Sequence, residues 1–214
     1  SFIHIGRLAT IGIMVEAGIL KKLAIFGSAQ LSDASGRTAA IGGFTVIGGG
    51  KSVKMCGIAR TVAVPPGGNR SLHQLIPTVS PGEVIMVDGG GNLDRAVAGE
   101  LIVLALRKRG AVGMVVHGAV RDVERLGKIA WPVFARGVSP LGPHKEAGGS
   151  VDLPFVFGDL AIKSGDVIFG DADGVVVIPA DQVLSILSAA EQIASREAAW
   201  MEDIRMGIGL PPIV

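Results

Sequence analysis

Apolar and polar positions alternate in recognisable blocks along the chain, and those blocks predict its elements. The stretch from Val53 to Val64 is β-rich and runs into Pro65-Pro66-Gly67-Gly68, which reads as a strand followed by an obligatory turn. Val84-Ile85-Met86-Val87-Asp88 is apolar through Val87, as a strand covered on both faces should be, and it stops at Gly89-Gly90-Gly91. From Asp94 to Arg109 the positions Val97, Leu101, Leu104 and Ala105 share a helical face, with Gly110 as the stop, and Gly113 to His117 is again an apolar strand. Strand, helix and strand in that order predict a parallel crossover.

Around this unit the signals are weaker. Arg7 to Phe26 has partly helical spacing, and Leu31-Ser32-Asp33-Ala34 reads as a helix start capped by Ser32 or Asp33. Short strands are predicted over 132–135, 151–157, 160–163, 167–170 and 175–179, with Asp171-Ala172-Asp173-Gly174 as a tight turn between the last two. Asp181 then caps a long terminal helix that reaches about Met206. The sum is an α/β chain with one domain over 1–180 and a C-terminal arm over 181–214 that packs on a neighbouring subunit.

Composition narrows the function classes. Twenty basic residues against 19 acidic ones give a formal charge of +1, so bulk electrostatics does not point to nucleic acid or an anionic membrane. Apolar residues make up 49% and charged residues 18%, which excludes disorder. The longest apolar runs fall far short of the ~20 residues of a membrane helix. A single cysteine, Cys56, and the lack of zinc spacing make a reducing, cytoplasmic location the expectation, with no secretion signal read at the N-terminus. Cys56 reads as a small core residue, Asn69-Arg70-Ser71 as a chance sequon, and His117 as a hydrogen-bonded core residue; none of the four histidines is assigned a role.

Two phosphate motifs are set aside. Gly48-Gly49-Gly50-Lys51-Ser52 ends like a P-loop, but Thr45 holds the first glycine position and a strand follows. The Gly89-Gly90-Gly91 loop places Asp94 where a dinucleotide fingerprint has its third glycine, and a carboxylate there repels pyrophosphate.

What remains is a candidate constellation. If the crossover helix begins late, Gly99-Glu100-Leu101-Ile102 lies at its N-terminus, where free N–H groups and the helix dipole suit a small carboxylate; a glycine-rich turn with no ligand is the plainer reading of the same residues. Arg121 and Asp122 fall just beyond the carboxyl edge of the next parallel strand, on the same sheet edge, although adjacent opposite charges also suit a solvated turn. Asp122 offers an oxygen to a hard cation such as Mg²⁺, and Arg121 can grip a carboxylate in a bidentate manner. Together they suit cleavage of a carbon–carbon bond beside a carbonyl, provided they face a shared cleft with room for a cation. In the terminal helix, Glu197 interrupts the apolar seam of Val183, Leu187, Ala190, Ala194, Met201 and Ile204, and Glu202 is the competing acidic residue.

Several stretches carry a family resemblance: Leu31-Ser32-Asp33-Ala34, Gly57-Ile58-Ala59-Arg60-Thr61-Val62, Pro81-Gly82-Glu83-Val84-Ile85, Gly99-Glu100-Leu101 with Gly118-Ala119-Val120-Arg121-Asp122, Pro132-Val133-Phe134-Ala135-Arg136-Gly137, and Gly165-Asp166 with Asp171-Ala172-Asp173-Gly174-Val175-Val176-Val177. Over nearly all of its length the sequence resembles the family of 4-hydroxy-4-methyl-2-oxoglutarate aldolase and the regulator of ribonuclease activity A. The resemblance implies a swivelling β/β/α domain assembled as homotrimers or paired trimers (homohexamers), with sites between subunits. It implies a divalent-metal lyase, Mg²⁺ or Mn²⁺, that cleaves 4-hydroxy-2-oxo acids to pyruvate and an oxo compound and decarboxylates oxaloacetate. By position, the backbone of Gly99, Glu100, Leu101 and Ile102 with the Arg121 side chain would hold pyruvate, and Asp122 would bind the metal. Glu197 would match an acidic residue that acts from the next subunit, although Arg196-Glu197-Ala198-Ala199-Trp200 lacks the second glutamate of that pattern. The alternative within the family is a regulator that binds a protein partner without catalysis.

Overall fold

The computed structural model describes residues 16–50, 53–145 and 148–209. The first nine residues of the stretch expected to be helical from Arg7, and Lys51-Ser52 of the discarded P-loop, lie outside the described residues. Six helices and twelve strands follow: α1 (Ala17–Leu23), α2 (Ser28–Ala34), β1 (Ala40–Ile41), β2 (Thr45–Gly48), β3 (Met55–Ala63), α3 (Arg70–Leu75), β4 (Glu83–Asp88), β5 (Ala96–Ala98), α4 (Glu100–Lys108), β6 (Gly113–Val120), α5 (Val123–Leu126), β7 (Val133–Val138), β8 (Ser150–Val151), β9 (Phe155–Phe157), β10 (Leu160–Ile162), β11 (Val167–Asp171), β12 (Gly174–Ile178) and α6 (Val183–Arg205).

The main sheet runs β1-β12-β11-β3-β4-β6-β7-β2, with β5 added beside β6 and β8 beside β3; β9 and β10 form a separate hairpin. Its centre, β3-β4-β6-β7, is parallel, β5 pairs parallel with β6, and the other strands outside the centre pair antiparallel. The predicted crossover between β4 and β6 is therefore present. β4 is buried on both faces up to Asp88, and β6 is buried throughout except at His117, which explains their apolar runs. Val87, Val116, Ile102, Val103 and Leu106 close one face with α3 and α4. On the opposite face Val115, Phe134, Phe155 and Phe157 pack together under the hairpin, while Leu31, Phe169, Val176, Ile186 and Leu187 join α2 and α6 to β11 and β12.

Several elements differ from the sequence reading, each for a physical reason. The helix α2 starts at Ser28 instead of at Ser32 or Asp33, because its N-terminus is capped from a distance. The Ser28 amide and hydroxyl donate to Asp171 at 2.8 and 2.6 Å, and Gln30 receives the Gly27 amide at 3.1 Å. Asp33 turns outward to pair with Arg37 at 3.0 Å. The stretch 151–157 is broken at Asp152, which sits at φ 63° so that its carboxylate meets Arg60. Arg70–Leu75 is a helix the pattern did not announce. At the end of the chain a 3₁₀ turn over Ala180–Gln182 precedes α6, and no side chain caps it, so Asp181 does not act as predicted. The Asp171–Gly174 turn and the Gly110 stop, at φ 91°, stand as expected.

Through Ala190, α6 lies within its own chain's core, and Val183, Ile186 and Leu187 are buried there. Beyond Ala194 it exposes Met201, Ile204 and Met206, so any arm toward a neighbour begins in its second half. Asp171→Ala removes the cap that α2 borrows across the fold. It is expected to cost about 1–2 kcal/mol, read as a lower urea midpoint at an unchanged slope.

Candidate functional site

The crossover helix begins late. Residues 96–98 form β5, paired with the end of β6, and Gly99 is the N-cap of α4. This corrects the helix predicted from Asp94 and also its apolar face. Ile102, Val103 and Leu106 are buried, while Leu101 and Leu104 are 78% and 42% exposed. Every position from Leu101 to Leu106 is apolar, so periodicity could not choose the inward face.

The late start is what assembles the constellation. The Arg121 amide donates to Ala98 O at 3.0 Å, which sets the end of β6 against β5. Asp122 then takes a left-handed conformation, φ 60° and ψ 34°, and its carbonyl accepts from Arg125 and Leu126 to start α5. That backbone turn returns the carboxylate to α4, where Oδ2 accepts the Glu100 amide at 3.1 Å. Asp122 thus caps α4 from outside the helix. Gly99 is required for the approach, since a Cβ there would stand 2.4 Å from Asp122 Oδ2 and 2.8 Å from Arg121 Cγ.

The electrostatics follow from this packing. Arg121 Nε lies 3.7 Å from Asp122 Oδ2, too long for a tight pair, and the two side chains are 43% and 39% exposed. Asp122 Oδ1 has no hydrogen bond among the described residues, and neither do the Leu101 and Ile102 amides of the first helical turn. The Glu100 carboxylate is taken up by Arg125 at 2.8 Å, so only its backbone faces the group. One free carboxylate oxygen, one guanidinium and two bare amides therefore meet at one edge. No cluster of three or more metal-ligating side chains occurs among the described residues. The donor set fits a hard cation that keeps most of its waters, with Asp122 Oδ1 as its single protein oxygen in this chain.

Two clefts of about 700 and 460 Å³ lie elsewhere, and neither is lined by Arg121 or Asp122. Glu197 is not brought to them either. It lines the smaller cleft, between α2 and α6, and accepts from Gln30 Nε2 at 2.5 Å. Glu202 pairs with Arg205 at 3.3 Å on the surface.

The histidine reading needs enlarging. His117 is hydrogen-bonded as expected, Nδ1 lying 3.0 Å from Asp88 Oδ1, yet it is 21% exposed at a cleft. The signal was present in the sequence: each of two apolar strand runs ends in a polar residue, and parallel register sets Asp88 opposite His117. Gly89-Gly90-Gly91 does not lead into a helix; the Gly89 and Gly91 amides both donate to His117 O. Burial pushes the Cys56 thiol up to about 12, which leaves it inert as the sequence suggested.

Asp122→Ala is expected to lose about 1 kcal/mol through the α4 cap, whereas Asp122→Asn keeps an accepting oxygen and stays within a few tenths of the parent. Urea unfolding of the three proteins checks this.

Comparison with known proteins bears on the family and the fold. The RraA-like family model, described as Aldolase/RraA, matches residues 28–177. A Halalkalibacterium halodurans protein named "Putative 4-hydroxy-4-methyl-2-oxoglutarate aldolase" is 37% identical over 139 residues, covering 65% of this chain and 66% of that protein. Protein DlpA of Legionella pneumophila is 31% identical over 79% of this chain and 29% of its own, so the chain spans less than two thirds of the length of these relatives. The RNA-processing inhibitor RraA from Thermus thermophilis superposes with a TM-score of 0.66 at 30% identity, covering 72% of this chain and 93% of that one. An uncharacterized protein from Pseudomonas syringae gives 0.80 at 25% identity, covering 91% and 96%. The fold is that of RraA proteins, and the chain belongs to the RraA-like family.

Proposed function

We propose that the protein is a divalent-metal lyase that cleaves 4-hydroxy-2-oxo acids to pyruvate and an oxo compound, and that also decarboxylates oxaloacetate. The observation that carries this reading is the meeting of Asp122 Oδ1, the Arg121 guanidinium and the bare Leu101 and Ile102 amides at one sheet edge. Relatives named as aldolases support the same class of reaction.

Arg121 and the first turn of α4 take the carboxylate of the 2-oxo acid, two charge-assisted donors against one anion. Bound at Asp122, Mg²⁺ or Mn²⁺ would supply Lewis acidity toward the 2-oxo group. Cleavage removes the proton of the 4-hydroxyl, converts that carbon to a carbonyl, and moves the electron pair of the C3–C4 bond onto the pyruvate fragment. Arg121 is placed to offset that negative charge, and a proton then returns to C3. Oxaloacetate loses carbon dioxide by the same electron movement, without the hydroxyl proton.

Closure of the site falls to a neighbouring subunit in this reading. Leu93, Leu101, Leu104, Val123, Val138 and Leu141 are exposed apolar residues on the segments that carry or flank the site, and a homotrimer or homohexamer would cover them. The second half of α6 would bring Glu197 across such an interface for proton transfer, leaving Gln30. Similarity to the Thermus inhibitor supports a second reading, a regulator that binds a protein partner without turnover.

One assay separates the two. Oxaloacetate with Mg²⁺, with pyruvate release coupled to a reporter dehydrogenase, is expected to show turnover that EDTA abolishes. Asp122→Ala and Arg121→Lys are expected to lower kcat by about 10²–10³, with folding checked by circular dichroism. Metal-independent turnover, or none at all in the parent, would overturn the lyase reading. Glu197→Gln is expected to lower kcat with little change in KM for oxaloacetate, which the same assay measures.

A further inference from the structure

The larger cleft lies apart from Arg121 and Asp122, and the lyase reading makes no use of it. It is about 700 Å³ and is lined by the α2–β1 loop, β1, the β1–β2 loop, β6, β7, β12 with the turn after it, and the β9–β10 hairpin. Cavities of that size take small organic ligands when a few polar groups converge on an apolar wall. Both parts are present here.

The wall is aromatic. Phe157 meets Phe44 edge to face at 5.6 Å and the His117 ring at 4.3 Å. The cation is Arg136, which lies over the Phe44 ring at 5.4 Å and donates through Nη1 to Gly42 O at 2.8 Å. It has no carboxylate partner among the described residues, whereas Arg37, at the rim, is paired with Asp33. Asp159 also lines the cleft but is not bonded to Arg136 among the described residues, and a guanidinium with no bound carboxylate suits one negative charge.

His117 supplies the third feature. With Nδ1–H donated to Asp88, Nε2 is left as an acceptor. Gly91, at φ 69°, keeps the space beside it open, since a Cβ there would lie 3.1 Å from Nε2. The glycine triplet that resembled a phosphate loop thus serves to hold and uncover an imidazole. His117 and Arg136 each follow a member of the Val116–Ala135 pair on adjacent parallel strands, which lie about 4.8 Å apart. The register shifts between Val116 and Ala119, and His117 and Arg136 both line the cleft with the aromatic wall.

We propose that this cleft is a second ligand site that takes a hydroxy-carboxylate monoanion with an aromatic or unsaturated body. Arg136 binds the carboxylate, His117 Nε2 accepts from the neighbouring hydroxyl, and Phe44 and Phe157 cover the apolar part. The site is independent of the lyase reading and stands whether or not turnover is found.

The test is calorimetric titration of the full chain with mandelate, in EDTA and at fixed ionic strength, beside phenylacetate, which lacks the hydroxyl. Saturable binding of mandelate is expected, with phenylacetate about fivefold weaker. Arg136→Gln is expected to weaken both acids about tenfold or more. His117→Gln is expected to erase the preference for mandelate while phenylacetate binds as before. No saturable binding, binding indifferent to both substitutions, or binding lost in Arg121→Gln would each overturn the proposal. Arg136 is on the surface, so Arg136→Gln decides the matter even where His117→Gln fails to fold.

Discussion

The parallel pairing of β4 with β6 is the constraint on which the rest of the molecule depends. Its register sets Val84 against Gly113 and ends with Asp88 against His117. Asp88, His117, Arg121, Asp122 and the first turn of α4 are all delivered by these strands, their continuations or the helix between them. Because the strands are buried on both faces, a slip of one residue would turn each side chain to the opposite layer, so the apolar runs themselves hold the polar ends in place.

Beyond the sheet edge the chain uses local backbone strain to reach its geometry. Asp122 adopts a left-handed conformation that a non-glycine residue takes at some cost, and the cost is offset by three bonds: two to the start of α5 through its carbonyl and one to α4 through its carboxylate. The same bonds leave Oδ1 open. A side chain that both caps a helix and presents an oxygen is held more rigidly than a solvated aspartate.

Glycine acts here by making room. At Gly99 the missing Cβ admits the Arg121-Asp122 turn, and at Gly91 it leaves the His117 imidazole uncovered. The two positions bracket β5 and serve different faces of the edge, one toward α4 and the other toward the aromatic wall. An abundance of glycine in the sequence thus becomes specific positions where something else must come close.

The sequence by itself determined the buried strands, the crossover, the stops at Gly110 and Asp171–Gly174, and the adjacency of Arg121 and Asp122, because each of these is written in contiguous residues. Only the tertiary structure decided where α2 and α4 begin, since their caps come from Asp171 and Asp122, 143 and 22 residues away. It alone set which side of an all-apolar helix faces inward, and it alone joined Asp88 to His117. It also placed Glu197, which the sequence marked only as a break in an apolar seam, beside Gln30. Periodicity reports which residues leave water, but which partner each one meets is fixed by packing between segments distant in the chain.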